Sequence, residues 1–125
     1  GMVIQSWRGA SAGIAAASNG YDVVMSPYER TYFTLPEYKT DNSKYKWREW
    51  VTKAGLSLPK MKIRAFVPPE GVPEEFRSHI LGGECCAWSE FMYSREELEY
   101  KTLTRLPAFA AALTGVPTVT TNEKE

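Results

Sequence analysis

The apolar positions in the first part of the chain form two short runs separated by a segment with helical character. Val3–Trp7 and Asp22–Ser26 are apolar and rich in β-branched residues, which is typical of buried strands. Between them, the alanine-rich stretch Ala12–Ser18 predicts a helix, and Asn19-Gly20 supplies a signal to end it. Strand, helix and strand within about 25 residues predict a βαβ unit with parallel strands.

The pattern continues less regularly in the middle of the chain. Pro27–Asn42 is polar and aromatic and is predicted to be a loop, whereas Ser43–Ala54 has aromatic residues at helical spacing and is predicted to be a helix. Met61–Phe66 is predicted to be a short extended piece. His79–Trp88 is predicted to be a third strand, interrupted at Gly82-Gly83.

The last predicted element is a helix over Leu98–Leu113. Ser94 and Glu97 match a capping box in front of it, and Pro107 should kink or split it. Residues 116–125 are predicted to be a flexible tail. The whole chain is therefore expected to be one α/β domain, a partial (β/α) barrel of about three strand-helix units, since a closed barrel needs about 250 residues.

Composition and charge limit the classes of function. Hydrophobic residues make up 43% of the chain and charged residues 24%, which is typical of a folded globular domain. Fifteen basic residues balance fifteen acidic ones, so no net charge favours nucleic acid or an anionic membrane. No apolar run approaches the roughly 20 residues of a membrane span. Neither nucleic acid nor a membrane is expected as a partner.

Targeting signals and cysteines add little. No signal peptide is visible, and Gly1 before Met2 reads as a cloning scar, so a cytoplasmic location is expected only if Met2 is the native start. The two cysteines, Cys85 and Cys86, are adjacent and are predicted to be buried thiols on a strand, because neighbouring cysteines suit a disulfide poorly. Together with the single His79 they supply too few ligands for a metal site, and no cofactor is expected.

Aromatic and acidic side chains stand where parallel α/β folds place their sites, at the C-terminal ends of strands. Trp7 ends the first predicted strand and Tyr32 lies in the loop after the second. Trp88 ends the third, and Glu90 follows two residues later. Flat aromatic faces and carboxylates are groups that recognise sugars. These four residues are candidate sugar-binding residues, and the alternative is that the tryptophans belong to the core.

The run from Ile80 to Glu90, ILGGECCAWSE, resembles the signature ILGGEAxxWxE of glycoside hydrolase family 20. Three other stretches resemble the family in the same order: VIQSW at 3–7, VVMSP followed by YF within 23–33, and EY, TRL and AFA in the last predicted helix. The resemblance spans residues 3–113. It implies that the chain corresponds to strands six to eight, with their helices, of the (β/α)8 catalytic barrel of β-N-acetylhexosaminidases.

The resemblance also implies roles for individual residues. In this family the acetamido oxygen of the substrate attacks the anomeric carbon, assisted by an Asp-Glu pair on the fourth strand. Tyr32 would hydrogen-bond that acetamido oxygen, Trp7 and Trp88 would line the −1 sugar pocket, and Glu90 would bind hydroxyls at the non-reducing end. No residue matches the Asp-Glu pair, so no catalytic acid is expected in this chain and the chain alone should be inactive. Thr34 stands where the family has an aspartate, which removes one acceptor for a sugar hydroxyl.

Two classes of function follow from the resemblance. The chain is either the C-terminal portion of a hexosaminidase-like glycoside hydrolase, which needs the N-terminal half of the barrel for activity, or a stand-alone half-barrel that binds sugar weakly or only assembles. In both, glycans containing N-acetylhexosamine are the expected ligands. Three strands alone would expose two edges and an apolar face, so the expected protein partner is a second copy in a homodimer, or the N-terminal barrel half.

A remote alternative comes from Gly9–Gly13, GASAG, which matches the G-x-S-x-G nucleophile elbow of serine hydrolases. Ser11, then Asp22 or Asp41, then His79 would follow the order of the catalytic triad in α/β-hydrolases. Short matches in loops rich in small residues are common by chance, and His79 stands at the start of the third predicted strand rather than on a late loop.

Overall fold

The computed structural model describes residues 1–37, 56–89 and 92–115, in which three parallel strands form one sheet. The strands lie in the order β1 (Val3–Ser6), β2 (Asp22–Met25) and β3 (Ile80–Gly83). The helices of the described residues are α1 (Ser11–Ser18), α2 (Tyr28–Thr31), α3 (Lys60–Arg64), a 3-10 helix (Glu74–His79), α4 (Arg95–Leu103) and α5 (Leu106–Thr114). The predicted alternation of strands and helices is confirmed.

The first βαβ unit forms as its sequence predicts. The small residues of α1 let the helix lie close to the sheet, because a Cβ atom at Gly13 would stand 2.6 Å from Sδ of Met25 and 2.8 Å from Cβ of Ser6. The Gly13 amide donates a hydrogen bond to Oγ of Ser6 at 2.9 Å. The helix ends at Asn19, and Gly20 takes the left-handed conformation with φ of 84°.

The pairing of β2 with β3 contains one irregularity. Leu81 is an extra residue on β3, since the partners along the two strands are Val23↔Ile80, Val24↔Gly82 and Met25↔Gly83. The extra residue makes this a β-bulge, and Gly82 takes a φ of 146°, a conformation that only glycine adopts readily. The predicted interruption of the third strand is therefore present, but the regular strand ends at Gly83 and does not reach Trp88.

The core lies between one face of the sheet and the helices. Val23 and Met25 of β2 are at most 1% exposed, and they belong to a cluster that includes Phe33, Leu58, Ile63, Phe66 and Phe109. Phe109 stacks on Phe66 with ring centroids 6.0 Å apart and meets the edge of Phe33 at 6.1 Å. Side chains on the opposite face of the sheet are exposed, Val3 at 55% and Leu81 at 58%.

Two predicted elements are wrong. Met61–Phe66 is not extended: α3 occupies Lys60–Arg64, beginning directly after Pro59 and burying Ile63 in the core. The predicted loop Pro27–Asn42 begins with the short helix α2, for which Pro27 is the N-cap residue. The rest of that loop beyond residue 37, the predicted helix Ser43–Ala54 and the predicted tail 116–125 lie outside the described residues.

The C-terminal helical region confirms the cap and the break. The Glu97 amide donates to Oγ of Ser94 at 3.1 Å, as a capping box requires. The Glu97 carboxylate accepts from the amide of Tyr93 at 3.2 Å, one residue earlier than in the standard box. The predicted single helix is split into α4 and α5, with Pro107 in the first turn of α5. Within the described residues, no helix combines the length and apolar character of a membrane span.

Candidate functional site

Tyr32 and Trp88 meet just beyond the C-terminal ends of the strands. Their ring centroids are 6.0 Å apart with the planes inclined at 57°, and Trp88 is 47% exposed. Tyr28, at the start of α2, approaches Tyr32 edge-on with centroids 6.4 Å apart. The Tyr28 amide donates to the carbonyl oxygen of Trp7 at 2.9 Å, and the Trp7 side chain is 44% exposed. Tyr28, Tyr32 and Trp88 thus form an aromatic cluster with part of its surface open to solvent, and the backbone of Trp7 is joined to it by this hydrogen bond.

Backbone hydrogen bonds join the loop after β2 to the segment after β3. Tyr32 and Cys86 form an isolated parallel bridge. The Cys86 amide donates to the carbonyl oxygen of Thr31 at 3.0 Å, and the Phe33 amide donates to the carbonyl oxygen of Cys86 at 2.8 Å. The extension of pairing beyond β3 explains why Tyr32 and Trp88, which are 56 positions apart in the sequence, lie next to each other.

A carboxylate stands at the same end of the sheet. Oε1 of Glu84 accepts a hydrogen bond from Nε2 of Gln5 at 2.7 Å, and Glu84 is exposed. The Cys86 thiol is 3.6 Å from the same carboxylate oxygen. Sequence reasoning included Glu84 only as a letter of the family signature and missed Gln5, whose signal was its position two residues before Trp7.

The two cysteines are free thiols. They are only partly buried and lie beyond the end of β3, so the prediction of buried thiols on a strand is wrong in both respects. Burial is the main cause that raises the pKa of Cys85 and Cys86, and the negative charge of Glu84 raises both further. A hydrogen bond with Oγ of Ser26 opposes part of the rise in the pKa of Cys86. Both thiols therefore stay protonated at neutral pH and are poor nucleophiles.

Three of the four predicted sugar-binding residues, Trp7, Tyr32 and Trp88, lie at the C-terminal edge of the sheet, and the structure links Trp7 to the other two through Tyr28. Glu90 lies outside the described residues. Among the residues that the structure describes, no group of three or more His, Cys, Asp and Glu side chains is placed to hold a metal ion.

The triad of the serine hydrolase alternative is not assembled. Nδ1 of His79 lies 3.1 Å from Oδ1 of Asp22, so two of its members do meet. However, Asp22 begins β2, whereas Ser11 begins the helix that follows the C-terminal end of β1. In a parallel sheet these positions are at opposite ends of the strands, and the His-Asp pair cannot activate Ser11. Asp41 lies outside the described residues.

Comparisons with known proteins agree on one family. Residues 1–113 match the family described as glycosyl hydrolase family 20, catalytic domain. A β-hexosaminidase of Porphyromonas gingivalis is 33% identical over 115 residues, which are 91% of this chain but only 14% of that protein. The structure of the family 20 exo-β-N-acetylglucosaminidase of Vibrio harveyi, in complex with N-acetylglucosamine, is 28% identical, with a TM-score of 0.70 over 89% of this chain and 17% of that chain.

A further solved structure, a β-N-acetylhexosaminidase, has 21% identity and a TM-score of 0.75 over 94% of this chain and 25% of that chain. It confirms the predicted fold, three parallel strands alternating with helices as in part of the family's catalytic domain. The chain thus spans a small part of the length of the relatives that it matches. On the match of residues 1–113, the chain belongs to glycosyl hydrolase family 20 and carries part of its catalytic domain.

Proposed function

We propose that this chain provides one wall of the N-acetylhexosamine pocket of a family 20 β-N-acetylhexosaminidase. Trp7, Tyr32, Trp88 and Glu90 are the proposed sugar-binding residues. The observation that carries the proposal is the contact between Tyr32 and Trp88, whose centroids are 6.0 Å apart at the C-terminal edge of the sheet. Enzymes built on parallel α/β barrels place their sites at this edge.

The exposure of the Trp88 side chain suits a sugar ring. The Trp88 indole is 47% exposed although it is held against Tyr32, so part of a flat apolar surface is available for the C–H face of a pyranose. A phenol can donate a hydrogen bond to a carbonyl oxygen such as that of an acetamido group. Tyr32 is therefore the proposed ligand of the acetamido group, and Glu90 the proposed acceptor for sugar hydroxyls.

Hydrolysis is proposed for an assembly that also contains an Asp-Glu pair, because these two residues do not occur in succession anywhere in the 125-residue sequence. In the proposed reaction the pair orients the acetamido group and protonates the leaving oxygen. The 125-residue chain contributes binding and orientation through its aromatic residues. Binding without catalysis, by the chain on its own, is the second outcome that the following experiment distinguishes.

The experiment is a titration of the 125-residue chain with N-acetylglucosamine, followed by ¹H–¹⁵N NMR. We expect millimolar binding with shifts at Trp7, Tyr32 and Trp88, because one wall of a pocket buries little of the ligand. Trp88→Ala should weaken binding at least about five-fold, in line with the loss of roughly 1 kcal/mol of stacking. Tyr21→Ala is the matched control, since Tyr21 is an aromatic residue of the same 47% exposure just before the start of β2.

A second titration, with glucose, tests the role of the acetamido group. Tyr32→Phe should remove most of the preference for N-acetylglucosamine over glucose while leaving stacking intact. An absence of shifts at saturating sugar, or equal effects of Trp88→Ala and Tyr21→Ala, would refute the proposed function. With a chromogenic aryl N-acetyl-β-glucosaminide we expect no turnover by this chain, since loss of general acid catalysis alone costs about 10² to 10⁴-fold. Turnover that survives repurification and disappears in Glu90→Gln would contradict that expectation.

A further inference from the structure

Arg105 is a buried cation in the turn between α4 and α5. It is 1% exposed, and its guanidinium donates to backbone carbonyl groups of the loop that follows β2 and of the segment just before α3. One nitrogen, Nη1, contacts the carbonyl oxygens of Leu35 at 3.0 Å and Leu58 at 3.1 Å, and Nη2 contacts that of Phe33. The same guanidinium lies over the Phe33 ring, 5.1 Å from its centroid. The planar fork of arginine reaches these carbonyl groups with donors on two separate nitrogens, whereas a lysine ammonium carries its three donors on a single nitrogen.

Thr34 lies between the two loop residues that Arg105 holds. Its own carbonyl oxygen accepts from Nζ of Lys101 on α4 at 3.3 Å, so three consecutive carbonyl groups of this loop are bound by side chains of the C-terminal helical region. The charged side chains of Arg105 and Lys101 therefore hold the backbone of this loop in place. The position of the Thr34 side chain follows from the position of this backbone.

The hydroxyl of Thr34 connects the loop to Trp88. Thr34 is 2% exposed, and its Oγ1 accepts a hydrogen bond from the backbone amide of Trp88 at 2.9 Å. A hydroxyl buried in this way does not face a ligand. Thr34, which stands where the family has an aspartate, therefore forms a hydrogen bond with the protein backbone. This hydrogen bond holds the backbone of Trp88, whose indole meets Tyr32. Because Trp88 is nearly half exposed, packing covers only part of its ring.

We infer that Thr34 and Arg105 are positioning residues for Trp88. Arg105 binds the carbonyl groups of the residues on both sides of Thr34 and so fixes the position of the Thr34 hydroxyl. The hydrogen bond from the Trp88 amide to this hydroxyl then fixes the backbone of Trp88, and with it the orientation of the indole against Tyr32. The geometric part of the inference depends on the fold alone. Its consequence for sugar affinity rests on the proposed function.

The test removes the hydroxyl without changing the shape of the side chain. In Thr34→Val, amide hydrogen exchange at Trp88 should accelerate about five-fold or more beyond any change at core amides, because a typical hydrogen bond contributes about 1 kcal/mol. Thr34→Ser keeps the hydroxyl and should restore the slow exchange. Thr114→Val is the control, since it removes a threonine hydroxyl that bonds the carbonyl of Ala110 on exposed α5 surface and should leave the Trp88 amide unchanged.

The affinity for N-acetylglucosamine is measured on the same variants. Thr34→Val should weaken binding about three- to ten-fold, Thr34→Ser should bind as the parent chain does, and Thr114→Val should have no effect. A merely structural role would lower stability without the selective change at Trp88 and without rescue by serine. Arg105→Lys should produce the same change at the Trp88 amide as Thr34→Val, because the single nitrogen of lysine does not reproduce the two separate nitrogens that bond the carbonyl groups of Phe33 and Leu35.

Failure of the two proposals can be told apart. If the parent chain binds no sugar, the proposed function fails and the exchange of the Trp88 amide still decides the inference. Unchanged exchange in Thr34→Val, or exchange that stays fast in Thr34→Ser, overturns the positioning role. If Thr34→Val does not fold, the parent chain gives the decision: a Trp88 amide bound to Thr34 exchanges far more slowly than in an unstructured peptide, and unprotected exchange overturns the inference.

Discussion

Gly83→Ala should destabilise the fold although it adds only one methyl group. A Cβ atom at this position would stand 2.6 Å from Cε1 of Phe66 and 2.9 Å from Cδ2 of Leu113, well inside the 3.4 Å at which ordinary contact begins. Phe66 cannot easily move away, because it is 6% exposed and stacks on Phe109 at 6.0 Å. The added methyl must therefore displace a packed ring or push β3 away from the helices.

The magnitude follows from two opposing effects. Overpacking of a core typically costs about 1 to 3 kcal/mol, whereas replacing glycine by alanine restricts the unfolded chain and returns about 0.4 to 1 kcal/mol. The clash is larger, and we expect a net loss of about 1 to 2 kcal/mol. At this chain length such a loss lowers Tm by roughly 4 to 8 °C.

Urea and thermal unfolding of four proteins measure this effect: the parent, Gly83→Ala, Phe66→Leu and the double variant. Leucine is smaller than phenylalanine at the point of contact, so Phe66→Leu should destabilise less in the Gly83→Ala background than alone. The double-mutant cycle should give a coupling of at least about 0.5 kcal/mol. A stabilising effect of Gly83→Ala, or additive effects in the double variant, would show that the clash is absent and would refute the packing of β3 against Phe66.

Three further predictions concern other parts of the chain. Ser94→Ala should lower the free energy of unfolding by about 1 kcal/mol, because it removes the cap of α4, and Ser89→Ala serves as a control in urea denaturation. The free energy of unfolding should fall as pH rises above roughly 8.5, because the raised pKa of Cys85 and Cys86 lets the folded state retain protons that the unfolded state has lost. Denaturation of the parent chain at about pH 7 and about pH 10 measures this fall. The fall should be smaller in Cys85→Ala and in Cys86→Ala. We also propose that the chain forms a homodimer through the sheet face or edge where Val3 and Leu81 are exposed, and a monomer at high micromolar concentration in sedimentation equilibrium would contradict this.

The elements that were correctly predicted are those whose signals are local. The small residues of α1, its Asn19-Gly20 end, and the Ser94 cap each depend on neighbours in the sequence, so pattern and propensity were sufficient. Met61–Phe66 was assigned wrongly because a six-residue apolar pattern does not distinguish a short strand from one and a half turns of helix. The preceding Pro59, which favours the start of a helix, was the signal that could have corrected the assignment.

The candidate site also combines features that could be predicted from the sequence with features that could not. The location of Trp7, Tyr32 and Trp88 at one edge could be predicted because the C-terminal ends of parallel strands meet there. For Trp88 the location also depends on the pairing of Cys86 with Tyr32, because β3 ends at Gly83 and not at Trp88 as predicted. The contacts of Thr34 and Arg105 could not be predicted, because Arg105 bonds carbonyl groups up to 72 residues away. Every residue has a carbonyl group, so such acceptors leave no signal in the sequence.

The bulge at Leu81 sets the phase of everything that follows it on the third strand. Side chains alternate between the two faces, so one additional residue reverses the alternation beyond it. With Leu81 present, Gly83 faces Phe66 and Glu84 reaches Gln5 on the open face. If the same sequence paired regularly from Val23↔Ile80 without the bulge, Gly83 would face the open side and the Glu84 carboxylate would point into the apolar layer under the helices. Deletion of Leu81 would leave Gly82 and Gly83 opposite Val24 and Met25 in a regular strand, whereas one further inserted residue without a second bulge would turn every residue after it to the opposite face of the sheet.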